Sequence, residues 1–81
     1  MLEDIAEYIN EQILSEKTEL VSDTALITSG LIDSISTLKL VEYIEDTYEI
    51  ELEANEVTAE NLDTIENIIS LIDRKKNTSG S

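Results

Sequence analysis

Apolar residues recur at Leu2, Ile5, Ile9 and Ile13, while Glu3, Asp4, Glu7 and Glu11 fill the side between them. That spacing predicts an amphipathic helix from residue 2 to about 15, with Glu3 and Asp4 at the positive end of its dipole. From Glu16 to Asp33 the period is lost: Leu20, Val21, Leu26 and Ile27 are scattered among Ser, Thr and Asp, and Gly30 stands near the end. This reads as a long loop, and compact domains keep loops of that length for function or tether them to the core. Its apolar residues are expected to pin it over the core, and Leu31-Ile32 to lead straight into the next helix.

Asp33 is a good N-cap residue, and it opens a second predicted helix that runs to about residue 49. Ile35, Leu38, Val41, Ile44 and Tyr48 form its expected apolar face, with Glu42, Glu45, Asp46 and Glu49 on the wetter side. Ile50 to Glu53 alternates, but so short a run without a partner strand reads as an extended connector. A short helical turn is expected around Glu56 to Glu60. The last helix opens on Asp63-Thr64-Ile65-Glu66, a capping-box pattern, continues through Ile65, Ile68, Ile69 and Ile72, and carries Arg74 to Lys76 at its negative end. Residues 1 to 76 are expected to form one domain, and residues 77 to 81 a disordered tail. The fold class that follows is all-α: a small antiparallel four-helix bundle, three main helices and one short one, with a long loop between the first and second.

Eighty-one residues suffice for one core, built here from Ile and Leu because Phe and Trp are absent. Nineteen acidic side chains face five basic ones, and before Arg74 only Lys17 and Lys39 oppose them. Such a field excludes nucleic acid as a partner and draws basic protein surfaces; it also serves plain solubility. Like-charge crowding predicts a fold that repels itself at neutral pH and gains stability from mild acid. Without cysteine or histidine, the chain has no thiol nucleophile, no imidazole base and no nitrogen or sulfur metal ligand. No Asp-x-Asp-x-Asp-Gly loop for calcium is present either, so no metal site is expected. No apolar run approaches the roughly 18 residues of a membrane span, and the start, Met1-Leu2-Glu3-Asp4, lacks the charge of a secretory signal. A cytoplasmic monomer that does not insert into membranes is expected. Carboxylates are its only acid–base groups and no cofactor motif surrounds them, so the chain is not expected to be an enzyme and no residue is assigned as catalytic.

One segment stands out, Gly30-Leu31-Ile32-Asp33-Ser34-Ile35. Ser34 falls on the first turn of the second helix, where backbone N–H groups and the dipole favour a negatively charged substituent such as a phosphodiester. Asp33 stands beside it as the cap. An Asp-Ser pair at a helix start is by itself ordinary capping chemistry. The whole pattern, a Gly, two apolar residues, Asp, Ser and then Ile, resembles the attachment motif of the acyl and peptidyl carrier proteins, and the order of helices resembles that family along nearly the whole chain.

The resemblance implies that a phosphopantetheinyl transferase places 4'-phosphopantetheine on Ser34, with Asp33 beside it for transferase recognition. It also implies that the arm then carries an acyl or aminoacyl thioester. The cargo would be loaded by an adenylate-forming ligase or an acyltransferase and delivered to downstream acyl-using enzymes. In the family the second helix is the surface that partners read; here it would present Ile35, Lys39, Glu42, Glu45, Asp46 and Glu49. Ser36 and Lys39 stand where carriers of fatty-acid synthesis commonly have acidic residues. Gly30-Leu31-Ile32-Asp33-Ser34-Ile35-Ser36-Thr37, together with Glu60-Asn61-Leu62-Asp63-Thr64, resembles the discrete D-alanyl and aminoacyl carriers, and a discrete carrier of a specialised acyl pathway has the same outline. The rival function is an acidic helical module that binds protein without any prosthetic group; such a module has no need of the Ser34 hydroxyl.

Overall fold

The computed structural model describes residues 2–15 and 18–79. Its first helix, α1, is α-helical over Leu2–Tyr8 and continues as a π-helical turn over Ile9–Leu14, closed by an N–H of Ser15 donated to the carbonyl of Asn10. The π turn departs from the expected regular helix. Bonding from i to i+5 widens the turn, so that Ile13 and Leu14 both pack against the core below fully buried Ile9.

Helix α2 spans Ser34–Tyr48, with Asp33 as N-cap and Glu49 in the left-handed region at its end. Its buried residues are Leu40, Val41 and Ile44, whereas Ile35 is 71% and Leu38 58% exposed. The expected face therefore needs correcting. Stepping three residues at a time turns an α-helix back by about 60° per step, so the stripe from Ile35 to Ile44 walks from one side of the helix to the other. Only its later part reaches the core, joined there by Leu40.

The connector after α2 is extended, then a 3₁₀ turn at Ala54–Glu56 precedes the short helix α3, Ala59–Leu62, and the long α4, Ile65–Ser79. Residues 77 to 79, expected as tail, lie within α4; Gly80 and Ser81 lie outside the described residues. The expected capping box at the start of α4 is replaced by a simpler cap. Thr64 Oγ1 accepts the N–H of Asn67 at 3.2 Å, and the Asp63 carboxylate is used elsewhere. Glu56 of the 3₁₀ turn meets Lys75 of α4 in an ion pair at 2.8 Å.

One apolar cluster unites these pieces. Ile5 and Ile9, Leu40 and Ile44, Leu62, and Ile65, Ile68, Leu71 and Ile72 are all essentially inaccessible, and Leu26 and Ile32 join them from the long loop. No charged or polar residue is buried among the described residues, so packing alone holds this interior. Among the described residues there is no strand, and no helix is long and apolar enough to cross a membrane.

Candidate functional site

Ser34 is the first residue of α2, exposed to solvent. Asp33 holds it there. The Asp33 carboxylate accepts the N–H of Ser36 at 2.8 Å, and its carbonyl accepts both the N–H of Thr37 at 2.9 Å and the Thr37 hydroxyl at 2.8 Å. Hydrogen bonding by Ser36, backbone first and then side chain, keeps the Asp33 carboxyl below its ordinary pKa, and Lys39 adds to the effect. Asp33 is thus an ionised cap at neutral pH. No histidine or cysteine exists in the chain to activate the Ser34 hydroxyl.

The approach to Ser34 is shaped by the long loop. Ser29 Oγ bonds the carbonyl of Ala25 at 2.6 Å. Gly30 donates to the Ile27 carbonyl at 3.0 Å and Ile32 to the Leu26 carbonyl at 2.8 Å. Gly30 has φ +82° with nothing within 4 Å of an added Cβ, so glycine is needed there for backbone conformation and not for space. The buried Leu26 and Ile32 anchor this turn from below.

An open cleft of about 600 Å³ lies against the serine, lined by Ile27 and Ile32 from the loop, Ser34 and Leu38 from α2, and Val57 and Ala59 from the α2–α4 connection. Five of the ten lining residues are aliphatic, and Asp33, Thr37 and Thr58 add polar groups, so the cleft can shelter an apolar chain or the stem of a flexible arm.

Asp63 is the residue whose part the sequence does not disclose. Its Oδ1 accepts the N–H groups of Ile27 and Thr28 at 2.8 and 2.9 Å, its Oδ2 accepts the Thr28 hydroxyl at 2.8 Å, and its carbonyl accepts the N–H of Leu26 at 2.7 Å. These donors, the Thr28 N–H and hydroxyl foremost, hold its pKa below the ordinary value. The local pattern Asp-Thr-Ile-Glu conceals this, because the partners lie 35 and 36 residues upstream.

The residues expected to meet partners fall into two groups. Ile35, Lys39, Glu42, Asp46 and Glu49 are exposed, and their spacing places them on the side of α2 away from Leu40 and Ile44. Glu45 is half-buried and turned to the connector, where its Oε2 accepts the N–H of Leu52 at 2.9 Å. Behind Lys39, whose carbonyl accepts the Tyr8 hydroxyl at 3.2 Å, the Tyr8 ring stacks on Tyr43 with centroids 4.0 Å apart. No cluster of acidic side chains suited to a metal ion occurs among the described residues.

The acyl carrier protein of Exiguobacterium sibiricum is 33% identical to this chain over 73 residues, a match that covers 90% of each. No protein-family model matches the chain.

Proposed function

Because the chain belongs to the acyl carrier protein family, we propose that its carrier role is exercised at Ser34, with 4'-phosphopantetheine esterified to the hydroxyl and an acyl or aminoacyl group held on the arm as a thioester. The observation that carries this reading is the placement of Ser34: exposed, on the first turn of a long helix, at the edge of a cleft half lined by aliphatic side chains. The arm supplies the thiol that this cysteine-free chain lacks.

The chain's own residues then have distinct tasks. The first turn of α2 stabilises the negative phosphodiester through its dipole. Asp33 keeps that turn wound, and its position beside the serine suits recognition by a transferase. Ile35 and Leu38, exposed and apolar, give partner enzymes a desolvated contact next to the attachment point, while Glu42, Asp46 and Glu49 steer basic partners toward it. Lys39 breaks that acidic surface near the arm, which favours an adenylate-forming ligase for an amino acid or short acid over the enzymes of fatty-acid synthesis.

Intact-mass measurement after incubation with coenzyme A and a promiscuous phosphopantetheinyl transferase tests the reading. One added phosphopantetheinyl group is expected on the wild type and none on Ser34→Ala, whose helical content stays unchanged. A wild-type chain that remains unmodified, or carries the group on Ser29 or Ser36, overturns the assignment; a purely protein-binding module is indifferent to Ser34→Ala.

A further inference from the structure

The cleft beside Ser34 is bounded by two segments far apart in sequence, the long loop and the stretch that leads into α3, and a single residue is bonded to both. Asp63 ends α3, its N–H donating to the Ala59 carbonyl at 2.8 Å, and Ala59 lines the cleft. Its carboxylate takes both N–H groups and the hydroxyl offered by Ile27 and Thr28, and Ile27 lines the cleft from the loop. From there the loop's own bonds, Gly30 to Ile27 and Ile32 to Leu26, carry the constraint to Asp33 and Ser34.

We propose that Asp63 is a positioning residue: it ties the loop to the α3 segment, and so sets both the width of the cleft and the presentation of Ser34 to the enzyme that modifies it. This rests on the reading of Ser34 as the attachment point. The physical case is one of direction. Leu26 and Ile32 hold the loop down by burial, which is indifferent to rotation and small slides, whereas three bonds to one carboxylate fix two consecutive backbone amides and a side chain in orientation. Without the carboxylate, the Ile27 and Thr28 amides lose their acceptors, and the segment that ends in Asp33 samples conformers a transferase does not recognise. Enzyme binding then weakens in proportion to the lost population of the competent one.

Two readouts test this. Hydrogen exchange on the unmodified chain reads the tie itself: Asp63→Ala should speed exchange at Ile27 and Thr28 by at least about tenfold relative to the α4 amides. Thr28→Val should show a smaller increase, and Thr64→Ala, which removes the α4 cap without touching the loop, should show none there. Kinetics of phosphopantetheinyl transfer read the consequence: for Asp63→Ala, KM rises by about fivefold or more with kcat nearly unchanged. Asp63→Asn should recover both, since its amide oxygen can accept the two N–H groups and its NH₂ can donate to the Thr28 oxygen. The proposal is overturned if Ile27 and Thr28 exchange as in the wild type, if Thr64→Ala exposes them equally, or if Asp63→Asn behaves like Asp63→Ala. A wild type that accepts the group while Asp63→Ala keeps its KM sinks the inference and leaves Ser34 standing; a wild type that refuses it removes the Ser34 assignment, and exchange still decides whether the tie exists. Should Asp63→Ala fail to fold, Thr28→Val decides in the same way.

Discussion

Helix α4 and the long loop share one apolar cluster, but they are attached to it by different means. α4 contributes Ile65, Ile68, Leu71 and Ile72, all with 2% exposure or less. The loop contributes only Leu26 and Ile32 at that depth, packs half-buried Leu20 and Ile27 beside them, leaves Val21 47% exposed, and adds polar bonds. Asn10 takes both polar groups of the Thr18 backbone at 2.8 and 3.0 Å, Glu66 donates its N–H to the Ser22 carbonyl at 3.0 Å, and Asp63 holds Ile27 and Thr28. Burial supplies cohesion in one region; hydrogen bonds supply orientation in the other. The proposed attachment at Ser34 calls for both, because it requires the serine to be presented in a defined way by a segment that other enzymes can still handle.

Core truncation gives the largest effect and tests the cohesive side of this contrast. Ile68→Ala removes most of a fully buried side chain and should cost about 2–5 kcal/mol. In a chain of this length each kcal/mol lowers the melting temperature by about 4–8 °C. Ile35→Ala, at an exposed position, should stay within about 0.5 kcal/mol and instead weaken partner contact. If thermal melts show the two variants to be alike, the division of α2 into a core side and a partner side does not hold.

Acid should separate the two regions next, and here the sign differs from what composition suggests. The carboxylates that shift, Asp33, Asp63 and Glu56, all shift down, because the hydrogen bonds donated by Ser36, Thr28 and Glu53 outweigh the partial loss of water around them. A carboxyl whose folded pKa lies below its unfolded value stabilises the fold above the unfolded value, and that contribution is lost as pH falls through the folded one. The window therefore lies below about pH 4. Hydrogen exchange across an acid series should show the Ile27, Thr28 and Ser36 amides opening in that window, before those of α4. Simultaneous loss of all of them would show that the polar ties and the core are one cooperative unit.

The same contrast explains what the sequence made legible. Periodicity located α2 and α4, and the Asp33 cap placed Ser34 on the correct turn, because those signals are local and helical packing repeats them. What it missed is non-local or depends on phase. Asp63 was hidden behind a local capping pattern, and the pull of Glu45 toward Leu52 cannot be read from an acidic stripe. The exposure of Ile35 and Leu38 follows from the walk of a three-residue stripe around the helix, which apolar spacing alone presents as one face. The π turn at Ile9–Leu14, which accompanies the packing of both Ile13 and Leu14 against the core, is not revealed by spacing alone.

The smallest expected effect concerns Lys39, exposed on the solvent side of α2, and it sharpens the contrast from outside the fold. Two unit charges 10 Å apart in water interact by about 0.4 kcal/mol, so reversing one changes an encounter by about 0.8 kcal/mol, or about fourfold. Lys39→Glu should therefore speed loading by a malonyltransferase with a basic docking surface by about that factor at low salt. The gain should shrink toward physiological ionic strength, where the screening length is about 8 Å. Adding Ser36→Asp should extend it, and a ligase that reads Lys39 should respond in the opposite direction. Stability should change little, since the substitution leaves the bond from the Tyr8 hydroxyl to the residue 39 carbonyl in place and removes only the smallest of the effects that favour ionised Asp33. A transfer rate indifferent to the substitution at every salt concentration would show that Lys39 lies outside the surface partners read, and would remove the electrostatic argument for an aminoacyl or short-acid cargo.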